Sequence, residues 1–170
     1  WQVGDVRIEG LGEALTEAEA VAALRARPGE PYRGWAVRGD EDRLARFLTG
    51  KGFRQATIEV LPEGRDAARR AVDLGYRVGL GPRVEIEVTG ADRRQLEKRG
   101  LLPILGEAGY DEALLLQTVD LIRAFYQERG HYRVAVRTRE LSEGDRLRVR
   151  LEVEPGPKLT LEEVAFEGNQ

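Results

Sequence analysis

The stretch YQERGHYRVAVRTRE, residues 126–140, joins a helical pattern to a strand pattern and decides the fold. Before it, apolar residues recur at helical spacing on one stripe, which carries Leu115, Val119, Ile122 and Tyr126. Gly130 follows, and a glycine in the left-handed conformation commonly ends a helix. After it, Val134 and Val136 alternate with charged or small residues, which is the period of a half-buried strand.

The same helix-to-strand pattern occurs 78 positions earlier, so the chain contains an internal repeat. The alignment pairs Tyr32 with Tyr110, Phe47 with Phe125 and Gly52 with Gly130. Residues 72–83 then align with residues 147–158 at an offset of 75, as a surface hairpin of different length allows. Each copy ends in a Gly-Pro pair and is followed by another alternating apolar stretch.

Within one repeat the periodicity predicts the order strand, helix, helix, strand, strand. In the second copy Asp92 is expected to cap a short helix that carries Leu96, and a longer helix is expected over about residues 111–129. In the first copy Thr16 and Glu19 form a capping box. Gly34 and Gly39 are expected to shorten the front of the second helix of that copy.

The predicted fold class is α+β, with tandem β-α-α-β-β units, each a three-stranded mixed sheet covered on one face by two helices. We expect one domain over residues 1–82, a second over residues 83–157, and the first strand of a following domain over residues 158–170.

Composition excludes several classes of function. With 27 Lys+Arg against 30 Asp+Glu, the net charge is −3, and the interleaved signs give no basic footprint for nucleic acid. The chain contains no cysteine, which excludes disulfides and thiolate sites. No apolar run approaches the length of a membrane helix. Because the chain starts at Trp1 and has no methionine, we expect it to be a piece of a longer protein.

No residue pattern predicts catalysis, and we expect the chain not to be an enzyme. His131, the only histidine, aligns with Phe53 and is therefore interpreted as a packing or surface position. TGKGF, residues 49–53, lacks the spacing of a phosphate-binding loop and ends a helix instead of opening one. The strand carboxylates are expected to form cross-strand ion pairs with arginines on a solvent-exposed face. No metal site and no cofactor are predicted.

The backbone of the strand after each long helix is the candidate site. A three-stranded open sheet has edges with unpaired backbone donors and acceptors, and an extended peptide can add to such an edge as a further strand. Arg133, Arg137 and Arg139 in the second copy are either gatekeepers against self-pairing or groups that steer an acidic client. The sequence favours neither interpretation.

The second repeat resembles the POTRA (polypeptide-transport-associated) domain. The resemblance rests on FYQERGHYRVAV, residues 125–136, and on LRVRLEVEPGPKLTLEEVAFEGN, residues 147–169. It extends over nearly the whole chain as two tandem domains plus the opening strand of the next. The first copy departs from the pattern through its glycine-broken helix and its longer hairpin LPEGRDAARRAVD, residues 61–73.

The resemblance implies a place on the periplasmic side of the bacterial outer membrane, in front of a C-terminal membrane β-barrel of the same full-length chain. It implies outer-membrane assembly factors of the BamA and TamA type, which receive unfolded outer-membrane polypeptides and bind periplasmic or lipoprotein accessory subunits. Carried onto this chain, the polypeptide-binding edges run over residues 54–61 and 133–141. The candidate residues on these edges are Arg54, Gln55, Thr57, Glu59, Arg133, Ala135, Arg137 and Arg139.

Three alternatives remain open at this point. A two-partner secretion transporter carries the same module and receives secreted polypeptides. A cell-division protein of the FtsQ type carries a single such domain, which the repeat disfavours. A KH-like nucleic-acid-binding module is more distant, because it requires a basic surface that the composition does not supply.

Overall fold

The computed structural model describes residues 1–61, 63–106 and 109–160. They form two compact units, the first built mainly on residues 1–85 and the second on most of the residues from 86 onward. Each unit combines one β-sheet with helices, so the predicted α+β fold class is confirmed. The predicted domain limits at residues 82 and 157 stay predictions, and residues 161–170 of the predicted following strand lie outside the described residues.

The first unit alternates strands and helices in the predicted order, with two additions. Its elements are β1 (Gln2–Glu9), α1 (Glu17–Ala23), α2 (Gly34–Arg38), α3 (Asp40–Gly50), β2 (Thr57–Val60), β3 (Gly64–Asp66) and β4 (Ala71–Gly79). The second predicted helix is divided into α2 and α3 at Gly39, which ends one and opens the other. The long hairpin that distinguishes this copy contributes β3, a fourth strand that the sequence pattern did not predict.

β4 lies in the middle of the first sheet, whose order is β1-β4-β2, with β3 also paired to β4. β1 runs parallel to β4, whereas β2 and β3 run antiparallel to it. Every second residue of β4 is buried on the face that the helices cover: Val72, Leu74, Tyr76 and Val78. Leu44 and Leu48 of α3 are fully buried in the same core. This arrangement leaves β1 on one edge of the sheet and β2 and β3 as outer strands paired to β4.

The predicted capping box begins α1. The backbone N–H of Glu19 donates to the Thr16 hydroxyl at 3.3 Å, and the backbone N–H of Thr16 donates to the Glu19 carboxylate at 3.2 Å. The Lys51 ammonium lies 3.0 Å from the same carboxylate. Hydrogen bonds from Lys51 and then from Thr16 lower the pKa of Glu19 to about 2. The start of α1 is therefore joined to the end of α3.

The second sheet has three strands, as predicted, and their order is β5-β7-β6. Its elements are β5 (Arg83–Thr89), α4 (Arg93–Lys98), a 3-10 helix (Pro103–Leu105), α5 (Glu112–Gln127), β6 (Ala135–Glu143) and β7 (Arg146–Glu154). Asp92 caps α4 as expected, and its carboxylate accepts from the backbone of Arg94 at 2.9 Å. Gly130, with φ of +88°, follows the end of α5.

The buried hydroxyl of Tyr76 gives a first prediction about stability. Tyr76 is fully buried, and its hydroxyl has no hydrogen-bond partner within the described part of the chain. Burial, followed by the charge of Asp40, raises the pKa of Tyr76. We expect Tyr76→Phe to leave the free energy of unfolding unchanged or to raise it by up to about 1 kcal/mol, because it removes an unpaired buried polar group.

Tyr32 provides the matched control for this measurement. Its hydroxyl donates a hydrogen bond to the carboxylate of Glu63, so Tyr32→Phe removes an existing hydrogen bond. Urea unfolding measures the free energy of unfolding of both variants. We expect the two values to change in opposite directions or to differ by about 1 kcal/mol. A larger loss of stability in Tyr76→Phe than in Tyr32→Phe would show that the buried hydroxyl is paired in solution.

Candidate functional site

The predicted binding strand of the first unit is shorter than expected. Thr57 and Glu59 lie on β2, which covers Thr57–Val60, whereas Arg54 and Gln55 lie in the turn before it. The predicted start at residue 54 is therefore three residues too early. The physical reason is that Phe53 is buried and its N–H still donates to Leu48 of α3, at 2.9 Å, so the chain is closing the helix at this point.

The backbone of β2 offers alternate hydrogen-bonding groups to solvent. The N–H of Leu61 donates to the carbonyl of Gly75 in β4 at 2.9 Å, and this places Leu61 in a hydrogen-bonded pair. Every second residue of an antiparallel strand bonds to the same neighbour. The N–H and C=O groups of Glu59 and Thr57 therefore face β4, and those of Ile58 and Val60 face outward.

The opposite edge of this sheet is closed by the chain itself. The N–H of Val3 in β1 donates to the carbonyl of Glu30 at 2.7 Å, and the N–H of Gly29 donates to the carbonyl of Val3 at 2.9 Å. Further along β1, the N–H of Ile8 donates to the Glu17 carboxylate of α1 at 2.9 Å. A peptide that added to β1 would have to displace these bonds, so β2 is the open edge of the first sheet.

The second sheet is arranged in the same way. β6 is its outer strand after the long helix, and it covers nine residues, compared with four in β2. On the other outer strand, β5, the carbonyl of Ile86 accepts from the Arg93 guanidinium of α4 at 3.0 Å. Ile86 is 78 positions after Ile8, so in both repeats a side chain from the first helix bonds to the backbone of the first strand.

The predicted residues of the second edge are partly on the strand. Ala135, Arg137 and Arg139 lie on β6, whereas Arg133 lies in the turn before it, because the N–H of Val134 donates to the carbonyl of His131 at 3.2 Å. The predicted range 133–141 is thus shifted by two residues from the observed strand.

The charges of β6 are matched by its neighbour. Arg137 lies 2.8 Å from Glu154 and Arg139 lies 3.8 Å from Glu152, both on β7, which confirms the expected cross-strand ion pairs. Arg137, Arg139 and Glu154 are exposed and Glu152 is partly exposed, so each pair contributes little to stability.

In the first sheet the corresponding charges form a ladder across three strands. Arg77 of β4 lies 2.9 Å from Glu59 of β2 and 3.6 Å from Glu9 of β1. Val60, next to Glu59 on the open edge, is 45% exposed. The edge therefore presents a charged face and one exposed apolar side chain.

The His131 side chain contacts both α5 and the residues that follow β7. Its Nδ1 lies 3.0 Å from the carbonyl oxygen of Gly156, and its ring packs edge to face against Tyr126 at 5.8 Å between centroids. Within residues 1–61, 63–106 and 109–160, no group of three or more metal-ligating side chains is placed to hold an ion. The helices in these ranges are all too short or too polar to cross a membrane.

The first unit matches a known protein family. Residues 2–79 match the family model POTRA, described as surface antigen variable number repeat. Residues 2–79 are therefore similar to a POTRA domain. The matched segment contains the whole first sheet, from β1 to β4. The second unit lies outside this match and has one strand before its helices and two after them.

Solved structures with a similar chain path include several POTRA proteins. The POTRA3-5 region of BamA from Haemophilus influenzae is 19% identical, with a TM-score of 0.49 over 99% of this chain and 72% of that one. The N-terminal domain of Omp85 from the cyanobacterium Thermosynechococcus elongatus is 16% identical, with a TM-score of 0.44 over 89% of this chain and 62% of that one.

CdiB from Escherichia coli is 14% identical, with a TM-score of 0.39 over 89% of this chain and 27% of that one. The chain therefore spans less than two thirds of the Omp85 and CdiB structures. A comparison with curated protein sequences finds no match.

Proposed function

We propose that the chain is a periplasmic, non-enzymatic POTRA region of an outer-membrane assembly protein, and that it binds unfolded outer-membrane polypeptides by strand addition at β2 and β6. The match of residues 2–79 to the POTRA family supports the general role in polypeptide transport. The observation that carries the proposed mode is the contrast between the two edges of the first sheet: β1 is bonded to Glu30 and Glu17, whereas Ile58 and Val60 of β2 face outward.

The short edge of the first unit predicts weak and reversible binding. Ile58 and Val60 together offer two N–H and two C=O groups to an added strand. At about 1 kcal/mol net for each hydrogen bond, four bonds contribute about 4 kcal/mol. Because association also costs entropy, backbone pairing alone gives a dissociation constant no tighter than about 1 mM. Backbone bonding of this kind does not depend on client sequence, so it suits a receptor that takes up and releases many different strands.

The longer edge of the second unit is expected to hold a longer client segment. β6 has nine residues, most of them exposed, and its arginines already face glutamates of β7. We propose that these arginines mainly prevent self-pairing of the edge, since their charge is largely matched within the sheet. Periplasmic or lipoprotein accessory subunits and a C-terminal β-barrel in the same full-length chain complete the proposed assembly. A two-partner secretion transporter, with secreted clients, is the second candidate from the same family.

Val60→Pro tests strand addition at β2. Proline removes the outward N–H of Val60 but no bond to β4, and proline is tolerated on an edge strand. We expect the affinity for an extended, ten-residue barrel-strand peptide at this edge to fall at least fivefold, because one hydrogen bond of about 1 kcal/mol is lost and the edge is bent. The affinity is measured by titrating the peptide into the protein while the amide chemical shifts of β2 are recorded by NMR.

Val60→Thr is the control, because it keeps the N–H and a β-branched side chain. The affinity of Val60→Thr for the barrel-strand peptide at β2 is expected to stay within about twofold of that of the original chain. Equal losses in Val60→Thr and Val60→Pro would place the interaction on the side chain and contradict strand addition.

A further inference from the structure

A second surface of the first unit has features of a binding site that strand addition does not use. A cavity of about 430 Å³ lies beside the start of β1, which is the outer strand on the opposite side of β4 from β2. Its lining combines apolar residues with two guanidinium groups and one indole: Val3, Ala26, Ala36, Arg25, Arg33 and Trp35. Glu30 also lines it.

The indole and one guanidinium form a preassembled pair. The guanidinium of Arg25 lies 5.1 Å from the ring centroid of Trp35, and Trp35 is 52% exposed despite its large apolar surface. A guanidinium placed over an aromatic face keeps the N–H donors in its own plane available to a ligand. Neither Arg25 nor Arg33 is within ion-pair distance of a carboxylate among the described residues.

Buried groups hold the walls of this cavity in place. The backbone N–H groups of Arg25 and Ala26 donate to the two oxygens of the Asp40 carboxylate at 2.7 and 2.9 Å, and Asp40 is fully buried. The backbone bonds of Val3 with Glu30 and with Gly29 fix the other side. A ligand therefore meets a surface that is already ordered, which lowers the entropic cost of binding.

Comparison of the repeats shows that the fold does not require these residues. Arg33 is the residue before α2, in the N-cap position, and it makes no side-chain capping bond. Its counterpart 78 positions later is Asp111, whose carboxylate caps α5 by accepting from Leu114 at 2.7 Å. The counterpart of Trp35 is Ala113. The first unit thus carries an arginine where a helix favours a carboxylate, and an exposed tryptophan where alanine is sufficient.

We propose that this cavity binds a polypeptide segment that presents one carboxylate next to an aromatic or large apolar side chain. Arg25 and Arg33 match the carboxylate in charge and in hydrogen-bonding geometry, and Trp35 covers the apolar side chain. Glu30 on the lining disfavours a surface of dense negative charge, such as an anionic membrane. The site goes beyond the proposed strand addition, because it uses neither β2 nor β6.

The test titrates the 170-residue chain with the peptide acetyl-Gly-Phe-Glu-Phe-Gly-amide and with its Gln analogue. Isothermal titration calorimetry measures the affinity of every variant for the peptides. In the chains that keep Trp35, its indole N–H signal, assigned by comparison with Trp35→Ala, shows whether the peptide binds beside this side chain. We expect the Glu peptide to bind at least about tenfold more tightly than the Gln peptide, and Arg33→Asp and Trp35→Ala to weaken the Glu peptide at least about tenfold.

Two controls separate this site from folding and from net charge. Arg33→Asp installs the residue of the second repeat, so it is expected to raise the midpoint of urea unfolding while it removes binding. Arg27→Asp changes the charge equally at an exposed position outside the cavity lining, and its affinity for the Glu peptide is expected to stay within about twofold. Val60→Pro is expected to keep this binding, so failure of strand addition and failure of this site are distinguishable.

Four outcomes would overturn the inference. They are no binding of the Glu peptide up to millimolar concentration, equal binding of the Glu and Gln peptides, equal weakening by Arg27→Asp and Arg33→Asp, and a response of Trp35 to phosphatidylglycerol vesicles without a response to the peptide.

Discussion

Replacement of Asp40 by alanine is expected to lower the free energy of unfolding by about 3 kcal/mol. The Asp40 side chain is fully buried and accepts two backbone hydrogen bonds, from Arg25 at 2.7 Å and from Ala26 at 2.9 Å. Alanine leaves both donors unpaired in the protein interior, and each such loss costs roughly 1 to 3 kcal/mol. The Arg43 guanidinium, 3.6 Å from the same carboxylate, also loses its partner.

Chemical unfolding monitored by circular dichroism measures this loss, with Asp42→Ala as the control. Asp42 lies in the same first turn of α3 and carries the same charge, but it is exposed. Its replacement is expected to cost less than about 1 kcal/mol. Asp40→Asn, which keeps one acceptor oxygen, is expected to fall between the two. A loss in Asp40→Ala no larger than in Asp42→Ala would show that the buried carboxylate does not anchor residues 25–26.

Gly10→Ala is expected to cost more than about 3 kcal/mol. Gly10 directly follows β1 and has φ of +88°, and a Cβ at this position would overlap the backbone oxygen of Val78 in β4. Gly90 directly follows β5, has φ of +75°, and stands in the same relation to Val153 of β7. Because the clashing atom belongs to the backbone of a central strand, a rotamer change cannot relieve it.

Gly12→Ala separates this steric effect from the cost of the left-handed conformation. Gly12 has φ of +59°, and a Cβ there meets no atom within 4 Å. Its replacement is expected to cost only about 1 kcal/mol. Thermal and urea unfolding of both variants gives the comparison. If Gly10→Ala fails to fold while Gly12→Ala folds, the account holds. Equal stability of the two variants would contradict the close approach.

The internal repeat makes much of this fold predictable from the sequence. Two aligned copies yield the order of strands and helices, and local signals such as Thr16, Asp92 and Gly130 mark helix ends correctly because their partners are only a few residues away. The sequence also predicts that a strand follows each long helix. It does not predict the first residue of that strand, because the turns after Phe53 and His131 delay the start of β2 and β6.

The features that the sequence hides depend on contacts between distant residues. Asp40 looks like an ordinary first-turn acid, and only the fold brings it to the backbone of residues 25–26. The closure of β1 by Glu30 and Glu17 is likewise invisible to periodicity, although it decides which edge is open. Arg33 and Trp35 could have been found earlier, because the repeat alignment sets them against Asp111 and Ala113.

Amide hydrogen exchange at β2 tests the central claim, that this edge takes up an extended polypeptide as an added strand. The N–H groups of Ile58 and Val60 face outward, so in the free protein they are expected to exchange faster than those of Thr57 and Glu59, which face β4. A saturating barrel-strand peptide is expected to slow exchange at Ile58 and Val60 and to leave Ile8 of β1 unchanged. Peptide binding without slower exchange at Ile58 and Val60 would contradict strand addition at this edge.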